Sequence, residues 1–203
     1  KYPVEQVATP EGYARNPELV INFYNERRKQ LLEVRPNDGH LGLAELEADF
    51  NVTVVTQNID NLHERAGSRR IIHLHGELTK VCSSRDPYNP HYIKELKPDE
   101  YEVKFGDKAG DGTQLRPFIV WFGEPVPEIE TAVNYVEKAD IFVIIGTSMN
   151  VYPAAGLLNY VPREAEVYLI DPKPVDVHSM RRIHVIQKGA SEGVRELRSL
   201  LQP

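Results

Sequence analysis

The chain has 203 residues, enough for one large domain or a domain with a small appendage, and its core needs no disulfide or metal staple. Its net charge of −6 argues against a general nucleic-acid or anionic-membrane binder. A single cysteine, Cys82, rules out an internal disulfide and any multi-cysteine zinc site.

In chain order, residues 15–34 (RNPELVINFYNERRKQLLEV) read as a helix, with Asn16 as its N-cap and Pro17 as its first helical residue. Residues 39–50 read as a second helix. Strands are expected at 52–57 (VTVVTQ), 71–76 (IIHLHG), 118–124 (FIVWFGE), 141–148 (IFVIIGTS), 166–172 (EVYLIDP) and 184–189 (HVIQKG). Helices are expected at 127–139, 153–161, 174–183 and 191–201. The strands are nearly continuous apolar runs, as in parallel strands buried on both faces. Alternating strands and helices predict a doubly wound α/β sheet. From about Thr79 to Arg116 the chain is rich in Lys, Asp, Gly, Tyr and Pro and poor in aliphatics. That segment reads as a small module, 79–116, inserted between the two parts of the main domain, 1–78 and 117–203. No stretch reaches the length of a membrane span, and the opening residues lack the pattern of a secretory leader. A cytoplasmic monomer is expected, with no membrane or nucleic-acid partner.

Ligands of open α/β sheets bind beyond the carboxyl ends of the strands. Four expected strands end there in polar or glycine-rich groups: Gln57, Asn58, Ile59 and Asp60; His75 and Gly76; Gly146, Thr147 and Ser148; and Asp171. Polar groups so placed are costly to desolvate unless something binds them. Gly146 lets a ligand approach the backbone, the two hydroxyls after it suit phosphate or ribose oxygens, and Asp171 can accept from ribose hydroxyls. A strand-to-loop turn is the alternative for each of these two motifs.

His75 is a candidate general base, because imidazole titrates near neutral pH. A structural histidine is the alternative. His73 and His75 lie two apart, so on one strand both face the same side, which also raises a metal pair. The sequence offers no third ligand at a standard spacing. On the first long helix, Val20, Phe23, Tyr24 and Leu31 form an apolar stripe that contains Arg27 and leaves Arg28 and Lys29 outside. A buried-face arginine requires an anionic partner, either an internal acid or a ligand carboxylate, with the Tyr24 hydroxyl one turn away. The stretch around Trp121 reads either as a core strand or as an edge that pairs with an extended peptide.

These motifs together resemble the sirtuins, the NAD-dependent protein-lysine deacylases. The resemblance rests on TQNIDNLHERAG, HLHGEL, LRPFIVWFGE, GTSMNVYPAAG and the FYNERR helix, and runs from Val7 to about Pro172. The nearest branch is the bacterial and mitochondrial desuccinylase and demalonylase class. The resemblance implies a Rossmann-like domain that binds NAD and carries a small inserted module. It implies His75 as the catalytic histidine and Gln57, Asn58, Ile59 and Asp60 as the lining of the nicotinamide and ribose pocket. Gly146, Thr147 and Ser148 are implied as further cofactor contacts. Val120, Trp121, Phe122, Gly123 and Glu124, with Val151 and Tyr152, resemble the two walls between which an acyl-lysine peptide adds as a strand. Tyr24 and Arg27 match the pair that binds acidic acyl groups. The implied reaction moves succinyl, malonyl or acetyl groups from lysine to the ribose of NAD, releasing nicotinamide and O-acyl-ADP-ribose, with His75 taking a proton from the ribose hydroxyl.

The sequence departs from the family in two places. Zinc-binding cysteines are normal in the small module, but here only Cys82 is present, so a zinc-free module held by packing and hydrogen bonds is expected, with a site using His91 as the alternative. A Gly-Ala-Gly-x-Ser loop that cradles the pyrophosphate is also missing, so the chain is expected to be incomplete relative to the native protein. Two rival functions stand beside the deacylase. One is a catalytically inactive sirtuin-like module that binds peptide or nucleotide; the other is a metal-dependent hydrolase using His73 and His75.

Overall fold

The computed structural model describes residues 1–146, 154–175 and 181–202. Its helices are α1 (Val4–Val7), α2 (Pro10–Arg15), α3 (Pro17–Leu31), α4 (Asp38–Glu45), α5 (Leu62–Ala66), α6 (Ile129–Val136), α7 (Ala154–Leu157) and α8 (Ala190–Leu201). Its strands are β1 (Val54–Thr56), β2 (Ile71–His73), β3 (Gly76–Ser83), β4 (Lys94–Glu95), β5 (Leu115–Ile119), β6 (Ile141–Ile145), β7 (Glu166–Ile170) and β8 (His184–Ile186). The chain divides into two compact units. One holds Lys1–Arg35, Gln57–Asn61 and His73–Val126; the other holds Pro36–Thr56, Leu62–Ile72 and Pro127–Pro203.

In the first unit, α3 starts where its capping chemistry dictates. The Asn16 side chain accepts from the Leu19 amide, and Pro17 occupies the first turn. The helix packs beside a three-stranded antiparallel sheet of order β4-β3-β5, and Ile21, Val81 and Val103 form a core there with Tyr13, Leu96 and Leu115 around it. This departs from the sequence reading twice. Residues 71–76 do not make one strand: β2 stops at His73, Leu74 and His75 form a turn, and β3 runs on to Ser83. The stretch expected as a parallel strand at 118–124 starts earlier, at Leu115, leaves the sheet after Ile119, and pairs antiparallel with β3. Both strands are buried by a partner distant in the chain, so local apolarity could not reveal their direction.

The second unit is the parallel α/β part. Strand β7 lies between β6 and β8, with Ile145 opposite Ile170 and Ile170 opposite Ile186. Ile170, Ile186, Tyr168, Leu46, Val194 and Leu197 build its core. Helix α8 approaches the sheet at Gly193, where a side chain would collide with Ile170. The expected burial of strands on both faces holds for β7 from Val167 onward but not for β6, whose five residues are half-buried. Among the described residues β6 pairs with β7 alone. Of the helix expected at 174–183, residues 176–180 lie outside the described residues, and 174–175 and 181–183 are not helical.

Candidate functional site

His75 sits in the turn between β2 and β3, half-buried, and its carbonyl accepts from the Val120 amide at 2.9 Å. The turn depends on Gly76, which has φ +88° and lies so close to β5 that any Cβ would strike the Phe118 carbonyl oxygen. Among the described residues no group hydrogen-bonds the His75 imidazole. Its neighbour His73 differs. It is 7% exposed, and its Nδ1 lies 2.9 Å from the Asn58 carbonyl oxygen. The expectation that the two histidines share a strand face is therefore corrected: the strand ends between them, so period-two alternation does not apply.

The Gln57–Asp60 loop belongs to the same unit as His75. Hydrogen bonds tie it to the strands flanking that turn: His73 at the end of β2 to the Asn58 carbonyl, and the Leu78 amide of β3 to the Ile59 carbonyl at 2.8 Å. Asn58 is exposed, and Gln57, Ile59 and Asp60 are half-buried. The structure thus brings a half-buried imidazole and a loop of amide and carboxylate groups onto one short framework.

Residues 120–124 follow β5 as a closed loop. Arg116 forks onto Glu124, Nη1 to Oε2 at 2.9 Å and Nη2 to Oε1 at 3.0 Å, while Glu124 Oε1 also accepts from the Trp121 amide at 2.8 Å. The Arg116 guanidinium lies over the Trp121 ring, 3.9 Å from its centroid. Trp121 is 1% exposed and donates its indole N–H to the Tyr24 hydroxyl at 3.1 Å. The side chains of Trp121 and Glu124 therefore point inward and shape the loop, whereas Phe122, 68% exposed, and Gly123 face solvent. Sequence reasoning passed over Arg116. An arginine inside an apolar run (LRPFI), with an acid eight residues on, was the available signal.

On α3 the sequence-based face assignment is overturned. Arg27 is exposed, and Arg28 is buried at 3% exposure. The true inward stripe is Val20, Ile21, Tyr24, Asn25, Arg28 and Leu31; choosing Phe23 rather than Ile21 and Asn25 rotated the expected face toward Arg27. Among the described residues the buried arginine makes no contact with a carboxylate. It donates to the Tyr101 carbonyl (2.7 Å), the Leu78 carbonyl (3.2 Å) and the Asn25 amide oxygen (2.7 Å), and burial pulls its pKa down to about 10. Asn25 in turn bonds both backbone groups of Val103. Tyr24 is buried, its hydroxyl donating to the Val7 carbonyl at 2.9 Å, and burial raises its phenol pKa against the opposing Trp121 hydrogen bond.

The segment from Thr79 to Arg116 is organised around Ser83. This fully buried residue sits next to Cys82, whose thiol burial pushes up to about 12. The Ser83 hydroxyl donates to Asp111 and accepts from the Arg85 and Asp86 amides, and Thr113 Oγ1 lies 3.1 Å away.

In the second unit, Gly146 and Asp171 stand at the carboxyl ends of the adjacent parallel strands β6 and β7. Gly146 is exposed with φ +61°, so its backbone is open to close approach. The Asp171 carboxylate caps its own turn by accepting from the Lys173 amide at 2.8 Å. Thr147, Ser148, Val151 and Tyr152 lie outside the described residues.

Comparison with known proteins points the same way. The Sir2 family model matches residues 1–153. A protein of Bacteroides thetaiotaomicron named NAD-dependent protein deacylase is 84% identical over 203 residues, covering 100% of this chain and 87% of the relative. The solved structure of a Sir2 homologue in complex with NAD superposes with a TM-score of 0.80 at 34% identity, covering 100% of this chain and 80% of that one. A Sir2 complex with a p53 peptide and NAD+ superposes with a TM-score of 0.73 at 26% identity, covering 94% of this chain and 80% of that one.

Proposed function

Since the chain belongs to the Sir2 family, we propose that it is an NAD-dependent protein-lysine deacylase, with a preference for acidic acyl groups such as succinyl and malonyl. The observation that carries the reading is the framework of His75 and the Gln57–Asp60 loop, strapped together by the His73 and Leu78 hydrogen bonds. The residues present fit the cofactor: exposed and half-buried amide and carboxylate groups suit a carboxamide and ribose hydroxyls, and the His75 imidazole, with no hydrogen-bond partner among the described residues, has a nitrogen available to take a proton.

NAD, when bound, supplies a ribose carbon with a departing nicotinamide and a hydroxyl that receives the acyl group. His75 takes the proton of that hydroxyl. Gln57, Asn58, Ile59 and Asp60 hold the nicotinamide ribose in register with the acyl oxygen, an orientation effect worth several orders of magnitude in rate. Gly146, Thr147, Ser148 and Asp171 are the further cofactor contacts of this reading. The acyl-lysine peptide pairs with the backbone of Val120 to Glu124 and with Val151 and Tyr152, in the manner of strand addition. Trp121 and Glu124 contribute through the loop they hold, and Phe122 and Gly123 through their exposure.

The acyl preference rests on Arg27. It is exposed, stands one turn beyond Tyr24, and among the described residues pairs with no acid of its own chain. A carboxylate at the end of the acyl chain supplies that partner. Succinyl-, malonyl- and acetyl-lysine peptides, each with and without NAD, test the proposal by mass spectrometry. Expected is NAD-dependent loss of the acyl group with one nicotinamide and one O-acyl-ADP-ribose per turnover, fastest for succinyl and malonyl. NAD or peptide binding with no nicotinamide release would make the chain a binding module; deacylation without NAD that chelators abolish would make it a metal hydrolase.

A further inference from the structure

His73 is a buried ionisable side chain at the end of β2 that the proposed chemistry leaves without a task. Its surroundings define one. A carbonyl oxygen only accepts, so the 2.9 Å contact with Asn58 requires the proton on Nδ1. On the other side of the ring, Nε2 lies 4.0 Å from Glu77 Oε1, and Glu77 is itself held by Lys80 Nζ at 2.7 Å. The imidazole is thus set on the last residue of β2 and reaches across to the middle of the Gln57–Asp60 loop. Two residues on, the same backbone carries His75.

We infer that His73 is a positioning residue for the cofactor loop: its Nδ1–H fixes the Asn58 carbonyl, and with it the amide and carboxylate groups on either side, at a set distance from the turn that bears His75. This rests on the reading that Gln57–Asp60 binds NAD. The Leu78 amide fixes the next carbonyl, that of Ile59, so the loop is held at two successive peptides. The second bond comes from the backbone and no side-chain substitution removes it; the first depends on one ring nitrogen. Without it, the Asn58 carbonyl loses its bond to the ring while the Leu78 amide still holds the next peptide.

The choice of replacement makes the inference testable. Asparagine places its amide N–H near the position of Nδ1, whereas glutamine places it near Nε2. His73→Gln is expected to raise the KM for NAD about tenfold, the scale of one lost hydrogen bond, with the KM for acyl peptide unchanged. His73→Asn is expected to return the KM for NAD to within about threefold of the native value. In the native protein, ring ¹⁵N shifts of His73 should report the Nδ1–H tautomer. Equal impairment of the two variants, a rise in both KM values together, or a His73 ring protonated only on Nε2 would overturn the inference. The tautomer decides the matter even where His73→Gln fails to fold. Failure of the parent reading looks different: Asp60→Ala and Asn58→Ala would then leave the KM for NAD unmoved, and both proposals would fall together.

Discussion

Arg116 and Glu124 form a two-pronged ion pair at 2.9 and 3.0 Å that closes the loop between them. Arg116 is 4% exposed and is also bound by the Ile119 carbonyl at 2.7 Å, so the pair is isolated from solvent on most sides. Removing one partner strands a buried charge, which typically costs several kcal/mol. Glu124→Ala is therefore expected to lower stability by about 3 kcal/mol in urea denaturation and to raise the KM for acyl peptide. The KM for NAD should stay near the native value, because the cofactor loop is held by other bonds. An unchanged peptide KM would detach this loop from substrate binding.

The two adjacent arginines of α3 should behave as opposites. Arg28→Met leaves the Tyr101 and Leu78 carbonyls and the Asn25 amide oxygen without their donor, and about 3 kcal/mol of stability should go with it. Arg27→Met, at an exposed position, should change stability by no more than about 0.5 kcal/mol. Its effect should fall on catalysis: kcat/KM for succinyl and malonyl peptides should drop about 10- to 100-fold, the scale of a charge-assisted hydrogen bond, with little change for acetyl peptide. Equal losses for all three acyl groups would give Arg27 a structural task instead.

His75→Ala should abolish turnover, with nicotinamide release falling by at least about 100-fold, as expected for loss of a general base. Because the imidazole makes no hydrogen bond among the described residues, the thermal unfolding midpoint should stay close to native. Retained turnover would remove the imidazole from the chemistry. A large drop in stability would show that it supports the turn.

Acid should loosen the segment around Ser83 through Asp111. Hydrogen bonds from Ser83 and Thr113 pull its carboxyl from the ordinary 3.8 down to about 2. A depressed carboxyl contributes stability that is complete above its unfolded value and is lost as pH falls through its folded one. That loss should therefore run from pH 3.8 to about 2. Glu124 acts in the same direction: burial pushes its carboxyl up, but the Arg116 and Trp121 hydrogen bonds outweigh that and hold it below the ordinary range. Asp111→Asn should be less stable at neutral pH and flatter than native across that acid window, as followed by far-ultraviolet circular dichroism. A variant curve parallel to the native one would exclude Asp111 from the transition.

Much of the candidate site was legible because it is written in contiguous residues. The Gln57–Asp60 loop, His75 and the strand ends at Gly146 and Asp171 stand out as polar groups at the ends of apolar runs; the structure has β1, β6 and β7 in three of those runs, whereas the run before His75 stops as β2 at His73. Helix α3 was legible from its cap, since Asn16 and Pro17 act within one turn of their own position. The strand boundaries near His75 were not, because Gly76 is a turn glycine only by virtue of β5, some forty residues later.

Sequence alone determined where strands β6, β7 and β8 and helices α6 and α8 form in the parallel unit, though not α5, and which kinds of chemistry lie at the strand ends. Both follow from local periodicity and from the cost of desolvating polar groups. Tertiary structure decided which way those groups point. It turned Arg28 inward and Arg27 outward, sent His73 to a backbone carbonyl while leaving His75 open, and committed Trp121 and Glu124 to a loop built around Arg116. In each case the deciding partner is a backbone carbonyl or a charge supplied by another part of the chain, and a hydrogen bond of that kind leaves no trace in local spacing.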